Sequence, residues 1–534
     1  MDSPVVEITE GKLEGSTRTN IDGETFLSFL GIPYGKPPVG ELRFKAPHPV
    51  QPWMGIRKAT EAGNICCQIG SKPGTTKGVE DCLNLNVFTR ELFDKEKELK
   101  PVMVWIHGGA FVTGSNDPDM FGPDFLLTKD IVLVVANYRL GLLGFLKLED
   151  TSLDVPGNAG LKDQTLALKW VQRNIKHFGG DPDNVTLFGN SAGSCSVHFH
   201  LLSQCDEGLF HKVILQSGVA LNHWSLGAGQ QVFDFIESMG KKANTEKEVL
   251  EILNSLPVEE VVFEQVKYFY GKLKMIAPAL EKPNPTAIIT THPEELITSG
   301  NYHKMPIMIG YNSGEGLLFG EQRTFCILAR RLLSGNNLRT NVESLLSYFL
   351  NVDMNNPTLG TMSKKLTDFY FRMGDITEIF QFITDFYFVY GITKCAKMHA
   401  RSQEHPVYLY RMSLDAGLNY LKKKNKLDHL PGASHADEVG YLFKVKNCME
   451  LEKNGLEEVS VRRFVKLWTD FAKYGNPTPD GNDLNILWNP VEKDEMHILD
   501  IGEELNMHID PERDRLKVWN ELFEMYSPTF SEPQ

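Results

Sequence analysis

Short strand-like apolar runs recur along the chain at 102–106, 131–136, 185–188, 213–216, 306–310 and 407–410. Stretches with helical character, such as 161–176 and 459–474, separate or follow them. That alternation predicts an α/β fold: a large, mainly parallel central sheet flanked by helices, with a small β element at the N-terminus. Two further regions, 237–266 and 325–400, are helix-rich and are expected to form the walls or lid of a gorge. No linker, internal repeat or low-complexity tract interrupts the pattern, and a hydrophobic content of 42% allows a large core.

Chemistry enters where the run 185–188 ends. It leads into Gly189-Asn190-Ser191-Ala192-Gly193, followed by a segment that can be helical. A serine on so tight a strand-to-helix turn projects its hydroxyl from the sheet edge, where it can act as a nucleophile in acyl transfer. In a chain with 45 glycines the pentapeptide alone is also compatible with an ordinary turn serine. The run 102–106 adds a second feature, since it enters His107-Gly108-Gly109-Ala110-Phe111. Glycines there let the main chain approach a reacting carbonyl without a Cβ in the way. Backbone N–H groups of such a loop, with that of Ala192, would form an oxyanion hole.

The chain resembles the type-B carboxylesterase and cholinesterase family over nearly its whole length, most closely intracellular insect carboxylesterases. Carrying the likeness are Phe29-Leu30-Gly31-Ile32-Pro33-Tyr34, Glu80-Asp81-Cys82-Leu83-Asn84-Leu85-Asn86 and Asn137-Tyr138-Arg139. Gly157-Asn158-Ala159-Gly160, Phe178-Gly179-Gly180-Asp181-Pro182 and Leu215-Gln216-Ser217-Gly218 follow in the same order. The resemblance implies an α/β-hydrolase fold and a triad of Ser191, Glu315 and His435. Glu315 lies in the step Glu315-Gly316 and His435 in Ser434-His435-Ala436-Asp437-Glu438. Asp437 and Glu438 are nearer in sequence, yet an acid reaches Nδ1 more easily from another loop while Nε2 faces the serine. Because the three residues are so far apart, 1–534 reads as one catalytic domain. Gly108, Gly109, Ala110 and Ala192 would form the oxyanion hole, with Gly108 helping the loop bend. Ser217 is either a neighbour of the triad or a core serine. The mechanism requires no cofactor or metal.

Departures from the family pattern bear on the substrate. Many members carry glutamate where Asn190 stands, so a negative charge is expected to be missing from the gorge floor. Ala110 replaces a third glycine and trims the space beside the scissile carbonyl. Cholinesterases hold choline on a tryptophan within the segment matching 71–80, and this segment has none, which excludes that activity. Trp224 matches an acyl-pocket wall. The expected substrate is an uncharged, partly apolar carboxylic ester, with organophosphates as covalent inhibitors. A juvenile-hormone-type esterase, a slow-turnover sequestering protein and a non-catalytic adhesion homologue are the alternatives. The first of these usually shows glutamine at the position of Asn190.

A net charge of −14 argues against nucleic acid, and the run Lys422-Lys423-Lys424-Asn425-Lys426 reads as a solvated loop. No apolar run reaches transmembrane length, and the first residues lack a signal-peptide core. The resemblance would pair Cys66 or Cys67 with Cys82. The simpler reading is a reduced, cytoplasmic protein with all three as free thiols, a secreted protein with its signal peptide removed being the alternative. The sequon Asn184-Val185-Thr186 overlaps a strand and is expected to be buried. The resemblance also pairs Arg43 with Glu80.

Overall fold

The computed structural model describes residues 3–526 except 71, 73, 228–231, 273–275, 321–341, 345, 348–352 and 373–375. Part of the expected helical region, 325–341, therefore lies outside the described residues.

A three-stranded sheet at the N-terminus joins β1 (Val5–Ile8), β2 (Gly11–Glu14) and β5 (Ile56–Lys58) in the order β1-β2-β5. A short ribbon pairs β6 (Gln68–Ile69) with β7 (Thr76–Lys77). The main sheet has eleven strands: β3 (Ser16–Thr19), β4 (Thr25–Pro33), β8 (Asn84–Thr89), β9 (Lys100–Ile106), β10 (Val132–Ala136), β11 (Gly180–Asn190), β12 (Lys212–Gln216), β13 (Ile307–Asn312), β14 (Val407–Met412), β15 (His497–Ile501) and β16 (Leu505–Ile509). Their order is β16-β15-β14-β13-β12-β11-β9-β10-β8-β4-β3. From β10 through β9 and β11 to β15 all neighbours are parallel, while both edges are antiparallel.

The apolar runs are continuous because the central strands are covered on both faces. Val102, Val104 and Ile106 belong to one core cluster, whereas Met103 and Trp105 belong to the other. Helices Ala159–Asn174 and Ala192–Leu202 contribute to the first, and helix Leu456–Tyr474 to the second. Gly475, at φ 70°, ends the last of these helices in a conformation that favours glycine.

The edge strands were not among the predicted ones. In β8 the buried residues include Asn84, Asn86 and Thr89, which break the apolar signal. Asn86 accepts from Gly31 N and donates to Asn116 O, so its burial is compensated locally.

Two further expectations are corrected. Lys422 is buried within the short helix Tyr420–Lys424, where its ammonium donates to Asp415 Oδ2 and Gly432 O; only the later lysines of the run are exposed. Cys66 and Cys82 form a disulfide with Cα atoms 5.0 Å apart, and Cys67 alone of the three is a free, buried thiol. The pairing that the resemblance offered holds, and the all-thiol reading does not. In the sequon, Val185 and Thr186 are buried in β11, but Asn184 itself is only half-buried, so the expected burial does not extend to the acceptor side chain.

Arg43 meets Glu80 through two contacts of 2.6 Å, and its remaining nitrogen donates to Leu253 O and Leu256 O. The pair thus ties the N-terminal segment to the helix Glu246–Ser255.

Candidate active site

The sheet brings the candidate residues together at the C-terminal ends of its parallel strands, the edge where open α/β folds place their ligands. His107–Ala110 follow β9, Ser191 follows β11, Ser217 follows β12 and Glu315 follows β13. His435 arrives from the loop between the short helices Tyr420–Lys424 and Val439–Leu442, which follow β14.

Ser191 has φ 59° and ψ −125°, a conformation that non-glycine residues rarely adopt. Its N–H donates to Gln216 O at 2.8 Å and its carbonyl accepts from Cys195 N at 2.9 Å, so the turn is clamped between β12 and the following helix. There is no room for larger neighbours. A Cβ on Gly193 would lie 2.1 Å from Ile106 O, and one on Gly218 would lie 2.4 Å from Ser191 O. A Cβ on Gly108 would lie 3.0 Å from the Ser191 Cβ, which sets the glycine loop directly against the serine.

That loop is itself bent through left-handed backbone, with φ 117° at Gly109 and 53° at Ala110. His107 lies under it, stacked on Tyr138 with 4.5 Å between ring centres. The imidazole is buried and shifted down to about 4 by desolvation, so it is neutral near pH 7. Its Nδ1–H donates to Gly108 O at 2.8 Å, holding the peptide whose N–H belongs to Gly109. Among the described residues, the N–H groups of Gly109, Ala110 and Ala192 have no hydrogen-bond acceptor.

Glu315 is fully buried, with Oε1 accepting from Asn312 N at 2.7 Å and Oε2 lying 2.5 Å from His435 Nδ1. His435 is buried too, its ring 4.6 Å from that of Phe388, and Nε2 has no partner among the described residues. Ser191 and His435 are not hydrogen-bonded to one another here, a bond that commonly tightens only with substrate present.

Asp437 does not compete for the imidazole. Its two oxygens accept from the N–H groups of Leu421, Lys422 and Ser434, which shape the loop carrying His435. Glu438 ties the three loops together: Oε1 accepts from Asn190 Nδ2 at 2.8 Å and Gln216 Nε2 at 3.1 Å, and Oε2 from Asn312 Nδ2 at 2.6 Å. Burial, then the nearby Glu315 charge, raise the Glu438 carboxyl above its usual range. Asn190, next to the serine, is buried, and its amide nitrogen donates to Glu438 Oε1 and to Gln216 O. Ser217 is buried with φ 56°, beside Gln216, and its hydroxyl has no partner among the described residues.

Trp224 is 7% exposed, donates to Tyr387 O at 2.8 Å and packs on Phe388 with 5.8 Å between ring centres. It is thus one aromatic ring removed from His435. Phe388 was not singled out in the sequence; it lies in the π-helical turn Thr384–Val389, within an aromatic run that carries no distinctive motif. The segment that holds this turn is part of the region expected to wall a gorge.

These loops are those of a known family. A sequence model described as "Carboxylesterase family" matches residues 2–519. The chain belongs to the carboxylesterase family. Esterase FE4 of Myzus persicae is 34% identical over 92% of this chain and 87% of its own length. Juvenile hormone esterase of Tribolium castaneum is 32% identical over 95% of this chain and 89% of its own. Among solved structures, juvenile hormone esterase from Manduca sexta with OTFP covalently attached superposes with a TM-score of 0.85 at 30% identity, covering 98% of this chain and all of that one. A PNB esterase superposes with a TM-score of 0.77 at 28% identity over 97% of this chain and 99% of its own. The α/β-hydrolase fold and an ester-bond hydrolase activity follow for this carboxylesterase.

Elsewhere, the donor atoms of Glu492, Glu495 and His497 lie within 4.8 Å of one another at the turn entering β15. None of the loops carrying Ser191, Glu315 or His435 contributes to that group. Among the described residues no helix is long and apolar enough to cross a membrane.

Proposed function

We propose that Ser191, His435 and Glu315 are the nucleophile, base and acid of a hydrolase for uncharged carboxylic esters. The observation that carries this reading is the buried 2.5 Å contact of His435 Nδ1 with Glu315, with Nε2 left without a partner. The Glu315 carboxylate oxygen only accepts, so the neutral imidazole carries its proton on Nδ1 and can accept one at Nε2. His435 takes the Ser191 proton as the hydroxyl attacks the ester carbonyl. The oxyanion accepts from the N–H groups of Gly109, Ala110 and Ala192, which have no other acceptor in the described structure. Each such donor contributes about 2.7–4 kcal/mol to the transition state. His435 then protonates the leaving alcohol, and water attacks the acyl-enzyme with His435 again as base. Glu315 stabilises the transient imidazolium throughout.

Trp224 and the Ala110 methyl are read as limits on acyl size, and organophosphates as covalent inhibitors at Ser191. A juvenile-hormone-type ester is the second reading, favoured by the relatives and the solved neighbour that bear that name. The meeting of distant loops supports treating residues 1–534 as one catalytic domain. Of the two compartments, the cytoplasm and an oxidising secretory route, the Cys66–Cys82 bond supports the latter.

The test is hydrolysis of p-nitrophenyl butyrate by the wild type and by Ser191→Ala. Loss of turnover in S191A is expected; retained turnover would refute the assignment. A burst of one equivalent per chain followed by negligible steady state would point to sequestration instead.

A further inference from the structure

We propose that Thr384 is a positioning residue for the acid–base pair, its hydroxyl holding the Glu315–Gly316 turn in the place where the carboxylate meets His435. This inference rests on the triad reading above and extends it to a residue that no catalytic motif contains.

Thr384 opens the π-helical turn Thr384–Val389, which is set between helices Ile376–Ile383 and Tyr390–Ser402. Its side chain is buried, and the hydroxyl donates to Phe380 O at 2.8 Å. The only hydroxyl proton is thereby used, and the lone pairs are left to accept. Gly316 N donates to that oxygen at 2.9 Å.

The Gly316 N–H belongs to the same peptide unit as the Glu315 carbonyl carbon. Fixing it fixes ψ of Glu315, and with it the direction in which the acid side chain leaves the main chain. Gly316 lies flush against the turn: a Cβ there would be 2.2 Å from Phe380 O and 3.1 Å from Thr384 Oγ1. Only glycine permits the approach that makes the bond. At the other end of the side chain, Asn312 N holds Oε1 at 2.7 Å. Glu315 is thus held from two sides, its backbone by Thr384 and its carboxylate by Asn312.

The same turn reaches the base. Phe388, four residues after Thr384, places its ring 4.6 Å from that of His435. Tyr387 O accepts from Trp224 Nε1 at 2.8 Å and from Asn222 Nδ2 at 2.8 Å. An irregular turn of this kind gathers groups that a regular helix would spread over different faces, and π-turns are frequent at functional sites. Thr384 anchors it to the acid loop.

The experiment compares kcat per titrated active site, KM and the melting temperature, with p-nitrophenyl butyrate as substrate, in wild type, T384V and T384S. Valine keeps the shape and removes the acceptor, whereas serine keeps the acceptor. T384V is expected to lose about tenfold or more in kcat with KM little changed, since small misplacements near reacting groups can cost up to about 10²-fold. T384S should recover most of the rate. A purely structural role would lower the melting temperature and the number of titrated active sites, leaving kcat per site unchanged.

A folded T384V with kcat per active site within twofold of wild type, or a T384S as slow as T384V, would overturn the proposal. Should T384V not fold, T384A carries the same readouts. S191A separates the two levels: retained turnover there would refute the triad itself, whereas a dead S191A beside a normal T384V would refute only the role of Thr384.

Discussion

Replacing Glu315 with glutamine tests the triad through a proton position. Asn312 N–H donates to Glu315 Oε1 at 2.7 Å, so an oxygen must remain there in E315Q. The amide NH₂ then falls where Oε2 was, 2.5 Å from His435 Nδ1 in the wild type. Two donors cannot face each other, and Nδ1 must give up its hydrogen and accept. The neutral imidazole then carries its proton on Nε2, the nitrogen that has to accept from Ser191. The comparable acid-to-amide change in a serine protease costs about 10⁴-fold in kcat, which is about 5.5 kcal/mol of barrier. E315A should lose less than E315Q, because removing the side chain leaves the productive tautomer available. The assay is steady-state hydrolysis of p-nitrophenyl butyrate, with melting curves to confirm that both variants fold. Activity of E315Q within tenfold of wild type, or an E315A slower than E315Q, would refute the reasoning.

Arg43→Ala leaves the Glu80 carboxylate and two backbone carbonyls without their donor, at a cost of about 3–5 kcal/mol. For 534 residues the unfolding entropy is about 1.1 kcal/mol/K, so the melting temperature should fall by about 2.7–4.5 °C; an unchanged melt would contradict the pairing. Trp224→Ala should favour bulky branched acyl esters over acetate by about 10–200-fold in the ratio of kcat/KM, the range expected for one pocket group. An unaltered ratio would remove Trp224 from the acyl wall. Burial pushes the Cys67 thiol up to about 12, so it should stay unreactive to a disulfide reagent at pH 8 until the protein unfolds. Non-reducing peptide maps should show Cys66 bound to Cys82; a Cys67–Cys82 peptide would refute the pairing.

Local signals in the sequence pointed to the fold class and to Ser191 as the candidate nucleophile. Runs such as 102–106 had to be strands buried on both faces, and a serine between tight glycines had to sit at the end of one. Glu315 and His435 were reached through motif resemblance, because nothing near either residue marks it as an acid or a base. Other features depended on contacts between residues far apart in the chain, which leave no periodic trace. The choice of Cys66 over Cys67, the burial of Lys422 and the turning of Asn190 toward Glu438 are of this kind. So are the ring of Phe388 on His435 and the hydroxyl of Thr384 under Gly316. A side chain's neighbours along the chain set which element it joins. Which partner it meets across the sheet depends on how the loops return, and only the packed tertiary structure decides that.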